Sequence, residues 1–287
     1  MFTVITSYVI IDYIVNHKRE GIFMSKKFET TYGDYAVVTG ASDGIGRAIA
    51  IEIAKRGVNV ILVARRQKQL EDLRTQILKT YKVSVEILPL DLSKPESSKT
   101  LFHYVDQFDV GLYAGVAGFG TSGDFVEGPI DEELEMIDVN CRAVVEQSFY
   151  FANRLRWRGR GGMILMSSLV AFQGVPRASC YSATKAFIQS FAEGLHRELQ
   201  PFGVHVLSVA PGPVESGFAR RAKMQMSKAE TPEGIAGEIV DALGKKMMIR
   251  PGFLSKFLGW SLLTMTRWQR VKVMGKIMAG MTRRSIL

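Results

Sequence analysis

"YAVVTGASDGIGRAIAIEIAKRG" (Tyr35–Gly57) is the stretch that decides the fold. Its first residues are a β-branched run that reads as a short strand ending in Gly40. Its last thirteen, from Ile45, carry apolar residues at helical spacing and end on a glycine, as helices commonly do. Between them lies "TGASDGIG" (Thr39–Gly46), with glycines at 40, 44 and 46. Such a turn tolerates positive φ and leaves no Cβ between backbone and ligand. The helix that follows offers free N–H groups and a positive dipole end to a pyrophosphate. A tight strand-to-helix turn with no ligand is the alternative; the strand before and the helix after favour the dinucleotide site. Gly40, Ser42, Asp43, Gly44, Ile45 and Gly46 are its expected contacts.

Outward from this unit the pattern repeats. "VNVILVA" (from Val58), "VSVEILPL", "FDVGLYAG", "GGMILMSS" and "GVHVLSVAPG" read as five further strands. Helical patterns lie between them, notably near 131–158 and 182–200. Near-continuous apolar strands separated by helices mean a parallel sheet covered on both faces. The expected fold is therefore α/β: one doubly wound, Rossmann-type domain over residues 31–250. It is flanked by an N-terminal extension (1–30) and a basic C-terminal extension (251–287).

The end of the second strand bears on the cofactor. An acidic residue there would accept hydrogen bonds from a ribose 2′-hydroxyl and repel a 2′-phosphate. This chain has "VARRQ", so Arg65 and Arg66 offer guanidinium forks that match a phosphate. NADP(H) is expected over NAD(H). Asp91, beside Leu92 in "PLDLS", can reach the adenine amino group and can also cap the next helix.

These motifs, with "VNC" at Asn140, "SS" at Ser168, "YSATK" (Tyr181–Lys185) and "PGPVES" (Pro211–Ser216), occur in the order and spacing of the short-chain dehydrogenase/reductase family. The resemblance runs from about residue 33 to 245. More weakly, the opening and the tail are similar to the branch of hydroxysteroid dehydrogenases and 3-ketoacyl-CoA reductases. One departure stands out: "LYAG" occupies the place read as the family's Asn-Asn-Ala-Gly. Leu112 and Tyr113 replace the amides, which implies a less rigid sheet there. Ala114 and Gly115 are expected to keep the backbone near the cofactor ribose.

Reduction of a carbonyl needs a proton donor within hydrogen-bond reach of its oxygen. Residues i and i+4 share a helix face, so Tyr181 and Lys185 can point into one cleft. There the ammonium is expected to lower the phenol pKa. Lys185 can also hold the nicotinamide ribose. The family's Ser-to-Tyr separation selects Ser168 over Ser167 as donor to the developing oxyanion, and strand alternation turns Ser167 away. By resemblance, Asn140 holds a water that links Lys185 to solvent. Each of these side chains alone has an ordinary packing or capping role as its alternative. In "PGPVES" the two prolines set a rigid turn; Pro211 and Gly212 are expected cofactor contacts, Val214 can bond the nicotinamide carboxamide and Ser216 can support it. "GFARRAKMQMSKAE" reads as a lid. Phe119, Leu169, Phe172, Val175, Pro176, Phe218 and Met224 are expected to line an apolar slot for a lipophilic carbonyl or alcohol, such as a steroid or fatty-acyl chain.

Composition sets the remaining bounds. With 47% hydrophobic residues the chain can build a sizeable core. Two cysteines among 287 residues suit a reducing, cytoplasmic setting, and the four histidines lack metal-ligand spacing. The formal charge of +9 is concentrated: residues 245–287 carry ten Lys/Arg and no Asp or Glu, which leaves the other 244 residues at −1. An acidic partner follows, either an anionic membrane contacted by the tail or another polyanion. A tail packed on the domain is the alternative. No nucleic-acid-binding fold is visible. The apolar "MFTVITSYVIIDYIV" is too short to span a bilayer. It reads as a membrane-contacting segment, a packed terminal helix or an upstream extension of a chain starting at Met24. By resemblance a homodimer or homotetramer is expected. The leading expectation is an NADP(H)-dependent oxidoreductase; a non-catalytic NADP(H)-binding sensor or scaffold is the alternative.

Overall fold

The computed structural model describes residues 28–225 and 229–282. The N-terminal apolar segment, Met24, three residues of the expected lid (226–228) and Arg283–Arg284 lie outside the described residues.

Seven parallel strands form one sheet: β1 (Tyr35–Thr39), β2 (Asn59–Ala64), β3 (Val85–Pro89), β4 (Val110–Gly115), β5 (Gly161–Met166), β6 (Val204–Val209) and β7 (Met248–Ile249). Their order is β3-β2-β1-β4-β5-β6-β7. Six follow the apolar runs in the sequence. The seventh is only two residues long and pairs Ser208 with Met248 and Val209 with Ile249. That is too short for any periodicity to announce it.

Alternation along the strands divides the core in two. Ala36 and Val38 of β1 and Val60 and Leu62 of β2 face one side. There they meet Ile49 and Ile53 of α1 (Gly44–Lys55), Leu70, Leu73 and Ile77 of α2 (Gln67–Thr80), and Ile235 and Ile239 of a later helix. Val37, Ile61 and Val63 face the other side. They pack with Leu101 and Val105 of α3 (Ser97–Val105), then with Phe151 and Leu155 further on. Truncating one such buried Leu to Ala costs about 2–5 kcal/mol.

The chain continues as α4 (Ile130–Ile137), a π-helical turn (Asp138–Arg142) and α5 (Ala143–Arg158). Three acids in the first turn of α4 suit the positive end of its dipole. Gly159, at φ 69°, ends α5 in the left-handed conformation that favours glycine. Then come α6 (Ser179–Leu199), the short α7 (Gly217–Arg221), α8 (Pro232–Ala242), α9 (Phe253–Leu263) and α10 (Arg267–Met281). A capping box between Thr266 and Gln269 opens α10.

The strand order reverses between β1 and β4. In open α/β sheets ligands bind beyond the carboxyl ends of the strands at such a switch point. Here the loops after β1 and β4 press together: a Cβ on Gly40 would stand 2.9 Å from the Cα of Ala117. Thr39 stitches the two. Its hydroxyl donates to the Ala114 carbonyl at 3.4 Å and accepts from the N–H groups of Val116 and Ala117, each at 3.1 Å. The expected softness at "LYAG" is not found. Tyr113 is fully buried, stacks on Phe151 and donates to Gln147 Oε1 at 2.7 Å. Tyr113 is a filled, hydrogen-bonded position inside β4.

Candidate active site

One cavity of about 680 Å³ opens at the switch point. The glycine turn forms one end. Asp43 caps α1, its Oδ1 accepting from Gly44 N–H at 2.7 Å. Its Oδ2 accepts from Gly217 N–H at 3.0 Å, tying the turn to the start of α7. Gly44 has φ 53°, and an added Cβ would lie 2.7 Å from Ser216 Cβ. At Gly46 it would meet the Gly40 carbonyl oxygen at 2.4 Å. Glycine is thus required at both positions by close approach, with positive φ at Gly44 as well. Gly40, Ser42, Asp43, Gly44, Ile45 and Gly46 all line the cavity. The first turn of α1 leaves N–H groups free there, and the cradle fits a pyrophosphate.

Arg65 and Arg66 line the same end. Arg66 donates to Ser42 Oγ at 3.0 Å and lies 3.6 Å from Asp43 Oδ2. Arg65 stands 3.6 Å from Glu135 Oε1. The same carboxylate oxygen accepts from Arg221 of α7 at 3.0 Å. The Arg221 guanidinium carbon is 3.4 Å from the Phe119 ring centroid. Burial, then the neighbouring Arg65, pull the Arg221 pKa below its usual value, with Glu135 working against them. Arg220 and Arg221 line the cavity as well, and the sequence reading did not single them out. Three guanidinium groups, those of Arg65, Arg66 and Arg221, therefore gather at this end, a donor set that fits a phosphorylated ribose.

Asp91 and Leu92 also line the cavity. Asp91 does not cap α3. Its Oδ1 accepts from Ser93 N–H at 3.1 Å and Ser93 Oγ at 2.9 Å, closing a local turn before the helix. Burial works to raise its pKa, but the two Ser93 bonds, Arg65 and Lys94 hold it below the usual carboxylate range.

Ala114 and Gly115 require a correction. Both are buried in β4 and neither reaches the cavity. The Ala-Gly pair that does is Ala117–Gly118, three residues on. A Cβ at Gly118 would stand 2.9 Å from Asn140 Oδ1 and 3.4 Å from Lys185 Nζ. The motif lies three residues further on than "LYAG": Ala114–Gly115 ends β4 itself, and Ala117–Gly118 is in the loop that follows.

Ser168, Tyr181 and Lys185 converge on the cavity, each buried. Ser168 follows β5; Tyr181 and Lys185 lie one turn apart on α6. Ser167 also lines the cavity, but its hydroxyl is committed to the Lys185 carbonyl at 3.0 Å. Lys185 Nζ donates to the Met166 carbonyl at 2.8 Å and lies 5.9 Å from the Tyr181 ring centroid. Burial brings its pKa down to about 8, opposed weakly by Cys141. Burial likewise pushes Tyr181 up to about 12, opposed by a hydrogen bond with Ser168. Burial of the phenol works against the lowering expected from Lys185, and the hydrogen bond with Ser168 works with it.

Asn140 sits in the π turn, 1% exposed. Its Nδ2 donates to the Phe119 carbonyl at 2.8 Å and Thr184 Oγ1 at 3.1 Å, and its Oδ1 accepts from Phe119 N–H at 3.1 Å. The side chain therefore clamps the loop after β4 against α6.

Pro211, Gly212, Val214 and Ser216 line the cavity. Val214 bridges to Glu230, and Ser216 caps α7 through Phe218 N–H at 3.3 Å. Phe119, Leu169, Phe218 and Met224 line it as expected. Phe172, Val175 and Pro176 do not. Phe172 lies under the Arg250 guanidinium at 4.5 Å, Val175 is in a core cluster, and Pro176 packs near Gly275. The apolar wall comes instead from the C-terminal helices, chiefly Leu258, Leu262, Met265, Met274, Ile277, Met278 and Met281. Nothing local marks these residues, since the fold brings them across from the far end of the chain. Among the described residues no metal-binding cluster of His, Cys, Asp and Glu occurs.

A family model described as short chain dehydrogenase matches residues 34–227. The chain is 27% identical over 245 residues to the very-long-chain 3-oxoacyl-CoA reductase of Macaca fascicularis, covering 84% of this chain and 78% of that protein. A solved structure of a 7beta-hydroxysteroid dehydrogenase superposes with TM-score 0.80 and 26% identity, covering 86% of this chain and 98% of the other. A short-chain dehydrogenase from Sphingobium yanoikuyae in complex with NADPH gives TM-score 0.67 and 30% identity, with 72% and 82% covered.

Proposed function

This chain belongs to the short-chain dehydrogenase family, of the hydroxysteroid and ketoacyl reductase type, and on that premise we propose that it is an NADP(H)-dependent oxidoreductase of a lipophilic secondary alcohol/ketone pair. One observation carries the reading: Ser168, Tyr181 and Lys185 face the same cavity as the glycine turn and the three arginines. The NADPH-bound relative supports the cofactor; the Met- and Leu-rich wall supports the lipophilic substrate.

Bound NADP(H) supplies or accepts the hydride. The residues of the chain do the rest. Gly44–Gly46 receive the pyrophosphate at the start of α1. Arg65 and Arg66 bind the 2′-phosphate, with Arg221 closing over them from α7. Tyr181 is the general acid in reduction and gives its phenolic proton to the substrate oxygen. The phenol is protonated at neutral pH and so can act as a donor. Ser168 donates to the same oxygen as charge develops there. Lys185, held by the Met166 carbonyl, binds the nicotinamide ribose and replenishes the proton on Tyr181. Asn140 positions this relay by fixing Phe119 and Thr184. Exposed Phe149 of α5 and Phe187 of α6 suit a homodimer or homotetramer built through those helices.

The test is oxidation of NADPH and NADH, side by side, over steroid, long-chain acyl and small ketone substrates. We expect turnover with NADPH on lipophilic ketones. Tight NADPH binding with no turnover on any substrate would replace the enzyme with a cofactor-binding scaffold.

A further inference from the structure

Helix α9 is apolar around most of its circumference, yet only one side is covered. Ser255 and Gly259 are buried, and Leu258 and Leu262 face the cavity. On the opposite stripe Phe253, Phe257, Trp260 and Leu263 are 82%, 53%, 65% and 56% exposed. Their spacing of four, three and three residues places them along one helix face. Phe253 and Phe257 stack, with ring centroids 6.4 Å apart. Trp268, 69% exposed, adds to this surface at the start of α10, with Lys272 Nζ 5.0 Å from its ring centroid. A contiguous apolar patch of this kind marks a contact surface.

Charge identifies the partner. Residues 245–287 carry ten Lys/Arg and no acid. Among the described residues, Lys256 with Glu238 is the one ion pair that this segment makes. Aromatic side chains rimmed by unneutralised cations match the headgroup level of an anionic bilayer. A second copy of the same face would bring like charges together, which disfavours self-association there.

We infer that the outer face of α9–α10 docks on an anionic membrane surface while its inner face walls the cavity. The contact is peripheral: among the described residues no helix is long and apolar enough to cross a membrane. Ile277 of α10 lines the cavity, so the same helix that carries part of the outer face also walls the site. The docking does not depend on the reductase reading.

Flotation of the full chain with vesicles of phosphatidylcholine, with and without phosphatidylglycerol, tests it. The chain should float with the anionic vesicles and stay down with the neutral ones. Phe257→Glu/Trp260→Glu should cut flotation about tenfold or more. Lys272→Glu/Lys276→Glu should weaken it and reduce its salt dependence. Circular dichroism and the thermal unfolding midpoint should be unchanged in both. Absence of flotation with anionic vesicles overturns the inference. So does flotation retained by both double variants. A dimer that dissociates in Phe257→Glu/Trp260→Glu, without vesicle binding by the parent, would assign the face to a second copy and overturn it too.

Discussion

The two ends of the cavity are built by opposite means. The end assigned to the dinucleotide rests on main chain, three glycines and an exposed helix start, with arginine, carboxylate and hydroxyl side chains set around it. The end assigned to the substrate is made of side chains from α7, α9 and α10, with Met224, Met265, Met274, Met278 and Met281 prominent among them. Backbone atoms hold fixed positions, whereas unbranched thioether chains repack around whatever they meet. One end can therefore specify a single ligand closely while the other admits a range of shapes.

The largest effect should come from the junction of the two ends. Tyr181→Phe should lower kcat by about 10²–10⁴-fold while NADPH affinity, read by fluorescence titration, changes little. Equal loss of both would mean that the phenol holds the fold of the cavity instead of the proton. Ser168→Ala should cost about 10²–10³-fold in kcat, measured under saturating cofactor.

Next comes the main-chain end. Arg66→Ala should raise the Kd for NADPH by about 10–100-fold, the value of a charge-assisted bond, and leave NADH nearly unchanged. Equal weakening of both cofactors would show that Arg66 merely supports Ser42 and the turn.

The side-chain end should respond more gently. Met274→Ala should raise KM for a long lipophilic ketone by roughly 5–30-fold, from about 1–2 kcal/mol of lost apolar contact, with small ketones unaffected. A uniform effect would make the wall a structural support, not a selector.

The smallest effect is on pH dependence. Lys185 titrates near 8 in the folded chain against 10.5 for a free lysine. Between these values the folded chain binds fewer protons than the unfolded one, so this residue makes unfolding free energy rise with pH. The contribution is at most about 1.4 kcal/mol per pH unit. Lys185→Met should remove that slope in urea titrations. Reduction should also decline above about pH 8 as the ammonium is lost.

This contrast also explains what the sequence could reveal. Gly40, Gly44 and Gly46 were legible because one short segment carries strand, turn and helix together. Tyr181 and Lys185 were legible because helix periodicity alone puts them on one side. Met265 and Met278 were not, since they reach the cavity only after α9 and α10 fold back across the sheet. Arg221 escaped notice because its partner, Glu135, lies 86 residues away. The phenol's pKa was legible only in part, for a related reason. Its shift depends on burial, and burial is a property of the assembled cavity, not of a tetrapeptide spacing.

The bond from Gly217 N–H to Asp43 Oδ2 bears on the order of events expected at this cavity. It fastens the first residue of α7 to the glycine turn, so one end of the covering helix is anchored beside the dinucleotide site, while Arg221 at its other end pairs with Glu135 and Gln225, just beyond it, donates to the Met281 carbonyl of the C-terminal wall at 3.0 Å. A dinucleotide would then be enclosed beneath that helix before a ketone arrives, and would depart only after the alcohol has gone. Steady-state kinetics should accordingly be sequential and ordered, with oxidised cofactor competitive against its reduced form and the alcohol product not competitive with it.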